Sequence, residues 1–275
     1  GFTYDGTDHS RNITATARTE NGAAVNENIF EISFSYKAHG ATTFTPVTEV
    51  KNAGTYTATA EISNNNYTIS SNDTATFTIG QKALTVTAEN KTVTYGDSAT
   101  YTATYKGLLD CDKGKLGTPN FTCNYNKVGT YPITVDGLEN SNYAITYVNG
   151  KLTVNKRTVT LDWGTDNSFI YDGTARTLNP TAQNVVNNDN LGLTVTVTGE
   201  NVSGSSAINV GTYTATASIT NKNYVIDENN KSATFTITAR ALTITANNHE
   251  IIYGSAPATN GYTISGIEGE KPETA

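Results

Sequence analysis

A phrase in this chain is written twice, NAGTYTATAEISNNNY at 52–67 and NVGTYTATASITNKNY at 209–224, with a looser copy, KVGTYPITVDGLENSNY, at 127–143. Repetition fixes the unit of folding and is read before any single residue. Within GTYTATAEI, Tyr56, Ala58, Ala60 and Ile62 alternate with Thr55, Thr57, Thr59 and Glu61, the period of a half-buried strand. Small Ala side chains on the inner face let a second sheet approach, and β-branched Thr on the outer face favours extended backbone. The same alternation sets Leu84, Val86 and Ala88 inward in LTVTAEN, and Phe77 and Ile79 inward in TFTI.

Two kinds of unit alternate. One opens on Tyr-Asp-Gly-Thr, at FTYDGT (2–7) and FIYDGT (169–174), which sets Tyr4, Asp5 and Gly6 against Tyr171, Asp172 and Gly173. The other opens on a Leu-Thr strand and then Tyr-Gly, at ALTVTAENKTVTYGD (83–97) and ALTITANNHEIIYGS (241–255), which sets Tyr95 and Gly96 against Tyr253 and Gly254. Tyr56, Tyr131 and Tyr213 head the three copies of the closing phrase, and each copy leads to a short β-run, ATFTI, KLTV or ATFTI. The units divide as 1–80, lacking its first strand, then 81–155, 156–239 and a truncated 240–275.

Short strands with turn signals every ten or so residues, in units of about 80 residues, predict an all-β chain of tandem immunoglobulin-like β-sandwiches. The tyrosine that begins GTYTATA is expected to close a corner through its hydroxyl. A β-grasp sheet crossed by a helix is the rival, resting on the weak helical signal in GLLDCDKGKL at 107–116. Only 16% of residues are charged, and a formal charge of −7 with scattered Lys and Arg leaves no basic stripe for nucleic acid. No apolar run approaches the ~18 residues of a membrane span. The missing initiator Met and the abrupt opening point to a piece of a longer protein.

The alternation of Tyr-Asp-Gly with Tyr-Gly units, each ending in Gly-Thr-Tyr, Asn-Tyr and a Thr-Phe-Thr-Ile-like strand, resembles the tandem YDG and MBG (YGX-type) repeats of large bacterial cell-surface proteins. The fourth unit departs from that pattern with Ser255 where Asp97 stands, and it lacks the closing phrase. The resemblance implies an extracellular array in adhesin-like proteins, without enzymatic activity in the modules and without a named ligand.

Residues that could carry chemistry read more simply as structure. Asp5-Gly6 and Asp172-Gly173 are tight-turn pairs. NNNY, NKNY and VVNNDN (185–190) offer oxygen ligands without the acidic density of a calcium loop. His9, His39 and His249 are not spaced with another His, Cys or acid as metal ligands or a catalytic pair would be. No metal, cofactor or catalytic set is expected. Sequons such as Asn66-Tyr-Thr68 follow from an Asn- and Thr-rich composition. Trp163 is the sole Trp, placed at a packing boundary. Lys156 with Asn229 or Asn230 is a candidate isopeptide pair. Cys111 and Cys123, the two cysteines of the chain, predict a disulfide across DKGKLGTPNFT.

A non-enzymatic stalk presenting an adhesive tip fits interchangeable units. The competing reading is a module that binds a host glycan or surface protein. It rests on extra residues of the first unit within 24–47 relative to the third, since insertions on repeat scaffolds map to loops. Leu242, Ile244, Ile251 and Ile252 have too little partner in the fourth unit. Weak head-to-tail self-association, with that half-unit filling the first unit's missing strand, is the corresponding expectation.

Junctions of three or four residues between closing and opening strands contain no flexible linker, which predicts units stacked into a rod. Small-angle scattering should give a radius of gyration well above the roughly 19 Å of a compact globule of this length. A value near that figure contradicts the rod.

Overall fold

The computed structural model describes residues 1–25, 31–41, 47–200, 202, 204–246, 248, 250–256 and 262–265 of the 275-residue chain. It is all-β, and the helices among the described residues are single 3-10 turns such as Asp110–Asp112 and Glu228–Asn230. The helical signal at 107–116 is the first of these turns. No helix crosses a sheet there, so the β-grasp alternative falls.

The chain divides into two compact units, residues 1–92 with 99–125 and 130–153, and residues 93–98 with 126–129 and 154–275. In the first repeat, β1 (Phe2–Thr3), β2 (Ile32–Ala38), β3 (Gly54–Ile62) and β4 (Thr74–Gly80) make one sheet in the order β1-β4-β3-β2. The closing phrase is the central antiparallel strand β3, with Tyr56 opposite Phe77.

The second repeat runs through β5 (Lys82–Ala88), β6 (Lys91–Thr94), β7 (Ala103–Lys106), β8 (Asn120–Thr122), β9 (Gly129–Asp136), β10 (Tyr143–Val148) and β11 (Gly150–Asn155). It forms two sheets, β10-β5-β7 and β6-β11-β9-β8. The third repeat has β12 (Arg157–Asp162), β13 (Ser168–Ile170), β14 (Thr181–Gln183), β15 (Thr194–Thr198), β16 (Gly211–Ser218), β17 (Tyr224–Ile226) and β18 (Ser232–Thr238). Its sheets, β14-β12-β17 and β13-β18-β16-β15, repeat the same plan. In both repeats the opening strand pairs in parallel with the strand that begins at the Asn-Tyr tyrosine, Tyr143 opposite Lys82 and Tyr224 opposite Arg157.

These are sandwiches because strand alternation gives each sheet one apolar face. Val159, Leu161, Tyr224 and Ile226 from one sheet meet Ala217 of β16 from the other in one core. Tyr213, Ala215, Phe235 and Ile237 form a second cluster with Val197 and Leu178. Ala215 and Ala217 are both fully buried and leave room for the facing sheet, while Tyr213 and Phe235, directly opposite on β16 and β18 of one sheet, pack with ring centroids 5.5 Å apart. Trp163 lies against both clusters and donates its indole N–H to the Asn230 carbonyl at 2.8 Å. Leu84, Val86 and Ala88 are buried as the alternation requires. Thr57, assigned to the outer face, is buried instead, with His39 against its hydroxyl at 3.2 Å.

The extra length of the first repeat lies partly in β2, seven residues where β15 has five. Much of the remainder, 26–30 and 42–46, lies outside the described residues, as does His249. In the fourth repeat β19 (Thr243–Ala246) and β20 (Tyr262–Ser265) form a two-stranded sheet. Leu242, Ile244, Ile251 and Ile252 are exposed.

The expected disulfide is not present in the structure. Cys111 and Cys123 are separate thiols, the first exposed and the second half-buried. Cys111 is held in the 3-10 turn, where its thiol bonds to Asp112 and its sulfur meets Gly6. Cys123 follows β8, whose Asn120, Phe121 and Thr122 are committed to β9, and it faces the Tyr101 hydroxyl. The two ends of the segment are thereby fixed to different partners. Thiol labelling of the native, unreduced chain should modify both cysteines, Cys111 faster; failure to modify either would restore the bridge.

Candidate functional site

Two tyrosine–aspartate–tyrosine clusters, built from equivalent pieces of successive repeats, are the most organised polar features of the described residues. In the first, the Tyr4 and Tyr143 hydroxyls both donate to Asp112 Oδ2, at 2.8 and 2.7 Å. The rings meet edge to face with centroids 5.5 Å apart. Both tyrosines are 2% exposed and the aspartate 8%. In the second, Tyr95 and Tyr224 donate to Asp189 Oδ2 at 2.9 and 2.8 Å, with centroids 5.4 Å apart at 78°.

Local sequence explains each part. Asn140-Ser-Asn142-Tyr143 and Asn221-Lys-Asn223-Tyr224 are Asx turns, in which the first Asn side chain accepts the N–H of the second and its carbonyl accepts that of the Tyr. The turn directs the Tyr inward and leaves the second Asn to face the preceding repeat. Asn142 Oδ1 accepts the Ala53 N–H at 2.8 Å, and Asn223 Oδ1 accepts the Val128 N–H at 3.0 Å. Ala53 and Val128 stand directly before Gly-Thr-Tyr, so both ends of the repeated phrase make contacts between repeats. Asn64-Asn-Asn66-Tyr67 forms the same Asx turn in the first repeat.

The aspartate arrives by two routes. Leu109–Asp112 is a right-handed 3-10 turn, whereas Val186–Asp189 reverses through Asn187 and Asn188 with φ of 55° and 52°. Asn tolerates that left-handed backbone. Both turns close from the fourth N–H to the first carbonyl, and the first N–H donates to the buried tyrosine, Leu109 to Tyr143 and Val186 to Tyr224. Different turn chemistry therefore delivers a carboxylate to the same place. The shared signal is two apolar residues, two polar ones and Asp, as in LLDCD and VVNND.

Glycine in both opening motifs has a steric cause. Gly6 and Gly96 have φ of +79° and +86°. A Cβ on Gly6 would stand 2.7 Å from Cys111 Sγ, and one on Gly96 would stand 2.6 Å from a Val186 methyl. A side chain at either position would push the tyrosine turn off its aspartate loop.

The remaining sequence-singled residues are structural. Asp5 Oδ1 accepts the Thr7 N–H and Asp172 Oδ1 the Thr174 N–H, which closes each Tyr-Asp-Gly turn. Asp5 also faces His9, and Asp172 pairs with Arg176. Tyr56 and Tyr213 each donate to the carbonyl four residues earlier, Asn52 and Asn209, at 2.8 Å. Tyr131 lies half-buried at the head of β9, beside Tyr125. Tyr171 continues the β13 ladder by donating its N–H to Thr238, and Tyr253 is fully exposed. The Asn230 amide bonds to the Leu161 carbonyl and that of Asn229 to Asp227. No group of three or more His, Cys, Asp or Glu among the described residues could hold a metal.

Burial pushes Tyr4 and Tyr143 up, reinforced by the bond to Asp112, with Tyr143 reaching about 12 and Tyr4 higher. Burial also pushes the Asp112 carboxyl up, but the Tyr143 and Tyr4 hydroxyls outweigh it and hold the group below its ordinary value. Tyr95 is raised first by its bond to Asp189, Tyr224 first by burial. The signs set a stability window. The lowered Asp112 contributes stability above its unfolded pKa, lost as pH falls through the folded value, below about 4. The raised tyrosines contribute below their unfolded pKa near 10, and the Tyr143 share is lost between about 10 and 12. Thermal midpoints from pH 2 to 12 should show a plateau bounded on both sides, with the alkaline fall shallower in Tyr143→Phe. An identical alkaline limb in that variant contradicts the assignment.

No protein in the curated set matches this sequence. Among solved structures, the immunoglobulin domains 1–5 of Sidekick-1 align over 79% of this chain and 55% of that one, at 12% identity and a TM-score of 0.21. Residues 84–153, which hold the Tyr95-Gly96 turn and the Asp112–Tyr143 pair, match the family described as MBG domain (YGX type).

Proposed function

We propose that this chain is a non-enzymatic segment of a bacterial cell-surface protein, a stalk whose repeats are locked in sequence to hold an adhesive tip outward. The observation that carries the reading is the second occurrence of the tyrosine–aspartate–tyrosine cluster, with the same acceptor oxygen and the same ring crossing, between a different pair of repeats. A binding site has no need to be built twice from the segments that join repeats; a spacer needs the same joint at every step. The Tyr4 and Tyr95 turns and the Asn-Tyr turns at Tyr143 and Tyr224, which are among the motifs that resemble a surface array, form these joints. The two tyrosine hydroxyls and the aspartate of each cluster bond to one another.

The second reading, recognition of a host glycan or surface protein by the first repeat, draws on the longer β2 and the extra residues around it. It concerns that repeat alone.

Paired nitroxide labels at Glu61→Cys and Lys106→Cys, with Cys111→Ser and Cys123→Ser, report the joint between the first two repeats. The stalk predicts one narrow distance distribution that broadens when Asp112→Asn is added, and a blank glycan array. A broad distribution before that change, or glycan binding that maps to the first repeat, contradicts it.

A further inference from the structure

The fourth repeat carries a preformed tyrosine turn with no described seat. Its Ile252–Ser255 turn closes from the Ser255 N–H to the Ile252 carbonyl at 3.0 Å, as Thr94–Asp97 closes at 2.9 Å. Gly254 and Gly96 share the left-handed conformation, with φ of 90° and 86°. The backbone is thus set in the form that seats Tyr95, yet Tyr253 is 105% exposed while Tyr95 is half-buried between Tyr224 and Asp189.

The geometry points to Tyr253 as an interaction site for a further repeat of the third-repeat kind, one presenting an apolar-apolar-x-x-Asp turn beside the tyrosine of an Asn-x-Asn-Tyr turn. The inference rests on the stalk reading and extends it to a named partner chemistry. A buried carboxylate requires donors, and the tyrosine hydroxyl on a Gly-widened turn supplies one while its ring covers the partner tyrosine's edge. A second copy of this chain does not offer the two described seats: Tyr4 fills the one at Asp112 and Tyr95 the one at Asp189. Ser255 replaces Asp97, which pairs with Arg157. The outer ion pair is therefore absent from this joint, and the hydroxyl-to-carboxylate bond carries it.

Two measurements test the assignment. First, Thr94→Ile with Asp97→Ser in the full chain places the fourth repeat's turn against the Asp189–Tyr224 seat. Amide exchange across Val186–Asp189 should remain within about twofold of the parent, whereas Tyr95→Phe should speed it by on the order of tenfold, the loss of one charge-assisted bond. Exchange in the grafted chain as fast as in Tyr95→Phe overturns the inference and leaves the stalk reading intact. No change in Tyr95→Phe overturns both. Second, residues 117–239 are appended after Ala275 to complete the fourth repeat and add a copy of the third. Tyr253→Phe should lower the midpoint of the appended repeat by about 4 to 8 °C and leave the 275-residue chain unchanged. Equal effects in both chains overturn it. So does concentration-dependent association of the 275-residue chain that Tyr253→Phe abolishes, which would make a second copy the partner.

Discussion

A carboxylate taken out of water must be compensated where it lies, and in this protein the compensation comes from two different repeats. Asp112 is buried, and both hydroxyls that bond to its Oδ2 come from tyrosines at opposite ends of a joint. Each such bond contributes about 1.5 to 3 kcal/mol, and an unpaired buried carboxylate costs at least as much. The penalty falls on both repeats if either moves away. Coupling at the joint therefore arises from an unsatisfied alternative more than from contact area, and the same parts recur in the half-buried cluster around Asp189.

The sandwich cores explain how the parts reach the joint. Parallel pairing of β5 with β10, and of β12 with β17, begins at the buried tyrosine, so the strand that starts each repeat lies beside the Asx turn that faces the repeat before it. The strands β3 and β9 start one residue beyond Ala53 and Val128, at the positions that follow the Asn-binding amide. In the first repeat one strand register thus sets both the Tyr56–Phe77 pair and the outward Ala53 amide that meets the neighbour. Local and tertiary preferences agree, as a minimally frustrated repeat requires.

Strand alternation was legible in the residues because β-period patterning depends only on which side chains face water; LTVTA and GTYTATA needed no more. The copies of Gly-Thr-Tyr and Asn-Tyr marked what mattered without saying why. Asp112 and Asp189 were not legible as partners, since one lies in a right-handed 3-10 turn and the other after two left-handed asparagines. The same carboxylate position therefore has no common local sequence beyond two apolar residues and Asp at the fifth place. The separation of Cys111 from Cys123 in the structure has a related cause. Proximity in sequence and a flexible-looking segment imply closure only when neither end has a stronger local commitment, and both ends have one.

Trp163 is the sole Trp and lies between the clusters of the third repeat, so its fluorescence reports the unfolding of that repeat within the intact chain. A double-mutant cycle of Tyr95→Phe and Asp189→Asn in urea, read at Trp163, measures whether the preceding repeat's tyrosine stabilises this one through the aspartate. The account predicts a coupling energy of about 1 to 2 kcal/mol. Effects that add to within about 0.3 kcal/mol would contradict it.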